Sequence, residues 1–164
     1  MGTELDWVFA YGSNMDVDDL CRWLKARGHP EPRVARVEVA LLSDFRLVWN
    51  YRSGARRGGA ANVEPAEGKE LPGLALQVDA PTLAGIDLKE GHPHRYRRGP
   101  KRVPVRLESG ELERAWLYVV LPEFTLGELV PPRRAYLELL LRAAERHAFP
   151  AWYVAELGRT PTAD

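Results

Sequence analysis

The chain has 164 residues, enough for one domain with a real core, with 45% hydrophobic and 28% charged side chains. Lys+Arg and Asp+Glu both number 23, and this balance gives no general argument for nucleic acid or an anionic membrane as partner. Cys21 is the lone cysteine, so an internal disulfide is excluded, and no apolar run approaches the roughly 20 residues that span a bilayer. The opening residues carry Glu4 and Asp6 and no basic stretch, which does not read as a secretory leader. A cytoplasmic protein is the expectation, with one domain over residues 1–158 and a frayed tail, "RTPTAD", over residues 159–164.

Trp7–Tyr11 reads as a short buried strand. Val17, Leu20, Cys21 and Leu24 follow at i, i+3, i+4, i+7, an amphipathic helix with Ser13, Asn14 and Asp16 as candidate caps and Gly28 as a stop. Val34–Leu42 is apolar and β-branched, and Phe45, Leu47, Trp49 and Tyr51 form a largely alternating strand. A basic, turn-rich loop, "RSGARRGG", leads to two further short strands, Ala60–Glu64 and Gly73–Val78, around "PAEGKELP". Asp79 and Pro81 mark a helix start, with Leu83 and Ile86 inward and Gly91 at its end. Arg102–Leu107 and Trp116–Val120 read as a hairpin about "SGE". Pro132 opens a helix to about His147, with Tyr136, Leu139, Leu140 and Ala143 on one face, and Pro150–Leu157 forms a last short helix. About six strands clustered with three helices predict an α+β fold; periodicity does not distinguish a closed barrel from an open sheet.

Two places carry candidate chemistry. The first is "YGSN", Tyr11–Asn14, where a strand turns into a helix. A helix start after glycine offers unpaired N–H groups and partial positive charge to a phosphate or carboxylate, with Gly12 allowing close approach and positive φ. A plain cap by Ser13 or Asn14 accounts for the same residues. The segment lacks the pattern of a nucleophile elbow, a phosphate loop or a dinucleotide fingerprint. The second is "GIDLKEGHPHRYRRGP", Gly85–Pro100. Glu90 stands at the negative end of a helix with Asp87 one turn before it. Both features raise its pKa toward what a general acid/base requires. The alternative is a surface pair between Glu90 and Arg95, Arg97 or Arg98. His92 and His94 have no second cluster of metal-binding side chains to join, so loop histidines are expected and no metal.

Taken together, "FAYGSNM", "GGAANVEP" (Gly58–Pro65), "GIDLKEG" with the following Y-R-R, "AWLYVV" and "PPRRAYLELLLRAAERHAFPAWYVAEL" resemble the gamma-glutamylcyclotransferase family of AIG2-like and BtrG-like cyclotransferases. The resemblance runs over nearly the whole chain; Ile86 stands where the family often has Leu. It implies a small mixed β-barrel of about six strands with helices packed outside. The implied reaction is attack of the α-amine of a γ-glutamyl group on its own γ-carbonyl, releasing 5-oxoproline, without a cofactor. Glu90 is then the general acid/base, and Tyr11, Gly12, Ser13 and Asn14 hold the substrate. Tyr96 and Tyr118 match positions in family patterns and are candidate pocket contacts, with a core tyrosine whose hydroxyl is satisfied as the alternative, and Phe45, Trp49 and Trp116 read as core or pocket wall. Y-G-S-N points away from the glutathione-specific branch, whose turn resembles Y-G-S-L. A small γ-glutamyl substrate is the implied partner of a monomer or homodimer, with no nucleic acid and no membrane. A non-catalytic small-acid or partner-binding member is the competing reading, against which Glu90 argues. The basic run Arg95, Arg97, Arg98, Lys101 and Arg102 suggests a preference for acidic leaving groups, with at most one of Arg97 and Arg98 facing inward because strand neighbours alternate. Solvated arginine-rich loops are the plainer alternative to an acidic partner.

Overall fold

The computed structural model describes residues 4–29 and 31–164. In chain order it contains β1 (Leu5–Ala10), a 3₁₀ turn (Ser13–Met15), α1 (Val17–Ala26), β2 (Val34–Ser53), β3 (Gly58–Asp79) and α2 (Ala80–Glu90). There follow β4 (Tyr96–Arg98), β5 (Val103–Leu107), β6 (Leu112–Trp116), β7 (Tyr118–Val120), a second 3₁₀ turn (Pro122–Phe124), α3 (Arg134–Arg146) and α4 (Ala151–Gly158). Five strands close a barrel in the order β1-β3-β2-β5-β6, while β4 and β7 pair separately. β1 runs antiparallel to β3 and parallel to β6, so the barrel is mixed. No helix among the described residues is long and apolar enough to cross a membrane.

Local signals account for the helix ends. Asp16 caps α1 by accepting from Asp19 N–H at 3.0 Å, and Asp79 caps α2 by accepting from Thr82 N–H at 3.0 Å. Gly91 ends α2 in the left-handed conformation at φ 68°. The core gathers Phe9, Leu20, Leu24, Leu74, Leu76, Ile86 and Leu140, each at most 1% exposed. Burial of each such side chain contributes about 1.5–3 kcal/mol.

The structure departs from the sequence-based expectations in four places. Val34–Ser53 is one strand, and so is Gly58–Asp79. "PAEGKELP" does not reverse the chain, because both its flanks pair with the same β2: Ser43 faces Glu70 while Phe45 already faces Pro65. The surplus residues bulge out opposite Asp44, whose carboxylate accepts from Gly68 N–H at 2.9 Å. Secondly, the expected strand Trp116–Val120 breaks at Leu117. β6 faces β5 up to Val103↔Ala115, but β7 faces β4, and between those partners lie Gly99 and Pro100, which interrupt the ladder because proline has no N–H to give. Thirdly, α3 begins at Arg134 rather than Pro132, and its buried face is Tyr136, Leu137, Leu140, Ala143 and Ala144. Lastly, the tail is tied down rather than frayed. Ala163 N–H donates to Pro132 C=O at 2.9 Å, and the Asp164 carboxylate accepts from Arg134 N–H at 2.7 Å. That carboxylate stands at the start of α3, where a negative charge is favoured.

Candidate active site

A polar cavity of about 670 Å³ opens where the end of β1, the end of α2 and the β2–β3 turn meet. Tyr11 begins it. Its ring is buried, and its hydroxyl donates to the Tyr118 carbonyl at 2.5 Å. Gly12 follows with φ −121° and ψ −136°, so the expected positive φ is absent. Space is tight here: a Cβ would lie 3.2 Å from the Tyr136 hydroxyl, a close contact, and 3.4 Å from the Ala61 Cβ, an ordinary one. Neither Ser13 nor Asn14 caps α1, a task left to Asp16. Among the described residues, no backbone carbonyl accepts from the N–H of Gly12 or Asn14.

The side chain of Asn14 turns instead toward the end of α2. Its amide nitrogen donates to Glu90 Oε1 at 2.7 Å, and its oxygen accepts from Lys89 Nζ at 2.6 Å. Lys89 also reaches Ser13 Oγ at 3.3 Å. An ammonium donates and a carboxylate accepts, so these two neighbours settle which way the carboxamide points. Glu90 and Lys89 are both partly exposed and both line the cavity. Burial pushes the Glu90 carboxyl above its ordinary value, against the opposing pull of Lys89, the Asn14 hydrogen bond and Arg56. Burial likewise lowers the Lys89 ammonium.

Asp87 has a different role from the one expected of it. It is not among the groups that shift Glu90. Its oxygens accept from Arg98 at 2.7 and 2.9 Å and from the Tyr118 hydroxyl at 2.5 Å. Burial alone would raise the Asp87 carboxyl, but the bonds from Arg98 and Tyr118 outweigh it and hold it below its usual range. Thus Arg98, one of the three arginines weighed as a surface partner for Glu90, pairs with Asp87 instead. His92 Nδ1 accepts from Arg98 N–H at 3.2 Å, a loop contact.

Tyr96 and Tyr118 both line the cavity, with hydroxyls already engaged: Tyr96 donates to Ala61 C=O at 2.7 Å and Tyr118 to Asp87. Burial raises both phenols far above the ordinary range. "GGAANVEP" explains itself here. Ala60 and Ala61 form the wall, and Ala61 N–H donates to the Tyr136 hydroxyl at 3.2 Å. Asn62 accepts from Val120 N–H at 3.0 Å and holds β7 against β3. Burial pushes the Tyr136 phenol up to about 12. Phe45 and Trp116 lie against the core outside the cavity, and Trp49 packs edge-on to Tyr136 at 5.9 Å.

Sequence reasoning missed Lys89, Tyr136 and Arg56 as cavity residues. Lys89 is the neighbour of Glu90 on a helix, about 100° around the axis, so only the closure of the turn onto the helix end brings both to one carboxamide. Tyr136 carried a helix-face signal that spoke only of core. Arg97 and Arg98 do not line the cavity; Arg95, Arg52 and Arg56 do.

A mixed five-stranded barrel with four helices, closed over a helix-end glutamate, defines a gamma-glutamylcyclotransferase-like fold. A solved gamma-glutamyl cyclotransferase superposes with a TM-score of 0.80 at 24% identity, covering 98% of this chain and 90% of that one. An uncharacterized Homo sapiens protein does so with a TM-score of 0.80 at 25% identity and the same coverage. The chain belongs to the family described as gamma-glutamyl cyclotransferase, AIG2-like, whose model matches residues 8–138. It is also 45% identical over 56 residues to a Methanocaldococcus jannaschii protein provisionally named a gamma-glutamylcyclotransferase. That match spans 34% of this chain and 45% of the relative's length.

Proposed function

We propose that the cavity cyclises a γ-glutamyl derivative to 5-oxoproline and a free amine. The observation that carries this reading is the Glu90 carboxylate in the cavity wall, bonded to Asn14 of the turn and shifted toward neutral pH by burial. The family, named for this reaction, supports it. A substrate α-amine is largely ammonium at neutral pH, since its pKa is about 7.7–8 or higher. Glu90 takes its proton, and the freed nitrogen attacks the γ-carbonyl. A new C–N bond closes the five-membered lactam, the old C–N bond breaks as Glu90 gives that proton to the departing nitrogen, and the ring nitrogen sheds its second proton to the released amine, which departs as ammonium and leaves Glu90 ionised again. The N–H groups of Gly12 and Asn14, with Lys89 beside them, receive the α-carboxylate. Enclosure holds the chain in its attacking conformer, and the reaction so written needs no cofactor. Incubation with a panel of γ-glutamyl compounds, with 5-oxoproline read by mass spectrometry, tests it; a panel that releases none refutes it.

Two further results are expected. The acid limb of kcat/KM falls above the ordinary Glu value of 4.5, since only ionised Glu90 accepts the proton. Because the Lys89 charge favours that ionised form, Lys89→Met moves the limb to higher pH, as a pH profile of the two proteins will show. An unmoved limb contradicts the assignment. Gly12→Val places a branched side chain against Tyr136 and Ala61 and weakens 5-oxoproline binding by at least about tenfold, measured by calorimetry.

A further inference from the structure

Four cationic side chains line the cavity, Arg52, Arg56, Lys89 and Arg95, against two anionic ones, Asp19 and Glu90. This local excess stands in a chain whose formal net charge is +0. Lys89 is committed to Asn14 and Ser13. The three arginines are not committed to any acid. Among the described residues none of them has a carboxylate partner, whereas Arg46, Arg98, Arg102 and Arg106 each do. Two of the three are steered by aromatic faces instead: Arg56 lies 5.0 Å from the Tyr136 ring centre and Arg95 lies 4.2 Å from that of Phe124. Arg56 is half-buried, lines the same cavity as Glu90 and Lys89, and lies against the ring of Tyr136 in the cavity wall.

A γ-glutamyl group brings one ammonium and one carboxylate, which cancel. In the reading above, Glu90 meets the first, and the turn with Lys89 meets the second. The arginines are then left for whatever lies beyond the bond that breaks. We propose that Arg56 and Arg95, with Arg52 beside them, read a negative charge on the leaving group. The site then prefers γ-glutamyl amino acids or peptides with a free carboxylate there over γ-glutamyl amines. This inference rests on the cyclotransferase reading. Of the basic run Arg95, Arg97, Arg98, Lys101 and Arg102 expected to carry this preference, it keeps Arg95 and adds Arg52 and Arg56 from the β2–β3 turn: Arg98 is paired with Asp87, and Arg97 is exposed and off the cavity.

The test compares γ-glutamylalanine with γ-glutamylalaninamide, which match in size and differ by one charge. With two partly exposed guanidinium contacts, the acid is favoured about tenfold in kcat/KM at low salt, and the preference fades at high salt. Arg56→Gln and Arg95→Gln each shrink it, the double variant removes it, and Arg97→Gln leaves it unchanged. Equal kcat/KM for both compounds at both salt levels overturns the inference while leaving the cyclotransferase reading standing. If neither compound releases 5-oxoproline, that reading fails first, and calorimetry on the Glu90→Gln protein decides the charge question separately. Tighter binding of the acid, lost on adding Arg56→Gln, supports the sensor; equal binding of the two, or none, overturns it.

Discussion

On the proposed reading, Glu90→Gln is expected to lower kcat/KM for 5-oxoproline release by about 10²–10⁴-fold, the usual cost of losing a general acid/base. The amide keeps the shape of the side chain, and its oxygen still accepts from Asn14 as Glu90 Oε1 does at 2.7 Å. It cannot take up or return a proton. Ligand binding should therefore survive while turnover does not, and a variant within about twofold of the parent would sink the mechanism. Stability supplies an independent check. Burial raises the folded-state pKa of Glu90 above 4.5, so its neutral form is the one the fold favours. Below that ordinary value the group is protonated folded and unfolded alike. As pH climbs through the raised folded pKa, the parent loses stability and Gln, which does not titrate, loses none. The advantage of Glu90→Gln in thermal denaturation is thus expected to grow from pH 4.5 upward and to level off once the raised folded pKa is passed. An advantage that shrinks over this window would mean that Asn14, Lys89 and Arg56 together outweigh burial.

Gly59→Ala is expected to have the largest effect on folding. Gly59 N–H donates to Pro131 C=O at 3.0 Å, so the segment before α3 lies flat on β3. A Cβ there would stand 1.9 Å from the Val130 carbonyl oxygen and 3.1 Å from the Pro131 carbonyl carbon. Both obstacles are backbone, and Val130 N–H is itself held by Trp49 C=O at 2.8 Å, so no side chain can swing aside. Overpacking against mobile side chains costs about 1–3 kcal/mol, and rigid backbone puts this case at the upper end or beyond. At about 2–4 °C per kcal/mol for a chain of this size, Tm should fall by roughly 10 °C. Gly127→Ala, with nothing within 4 Å of the added atom, serves as the control and should leave Tm unchanged. Equal Tm values for the two variants would show that the Val130–Pro131 segment yields.

The elements that could be read from the sequence are those whose signals are local. Asp16 and Asp79 as caps, Gly91 as a stop and the apolar face of α1 depend on neighbours within a turn or two, and the backbone obeys them. The two sites of interest were legible as residues, Tyr11–Asn14 and Glu90, and the resemblance tied them to one reaction. What joined them lies in the tertiary structure. The link from Asn14 to Glu90 and Lys89 spans more than seventy residues, and no periodicity carries a side-chain contact across that distance. Strand identity failed for the same reason. Whether "PAEGKELP" is a hairpin turn or a bulge depends on which strand lies opposite its two ends, and Trp116–Val120 splits because its partners change from β5 to β4. Charge followed the same division. The sequence by itself determined a neutral chain with basic loops near the proposed site. Only the closed barrel decided that Arg98 would be spent on Asp87 while Arg52, Arg56 and Arg95 stand around the cavity with no carboxylate partner among the described residues, because pairing is set by proximity in space and not along the chain.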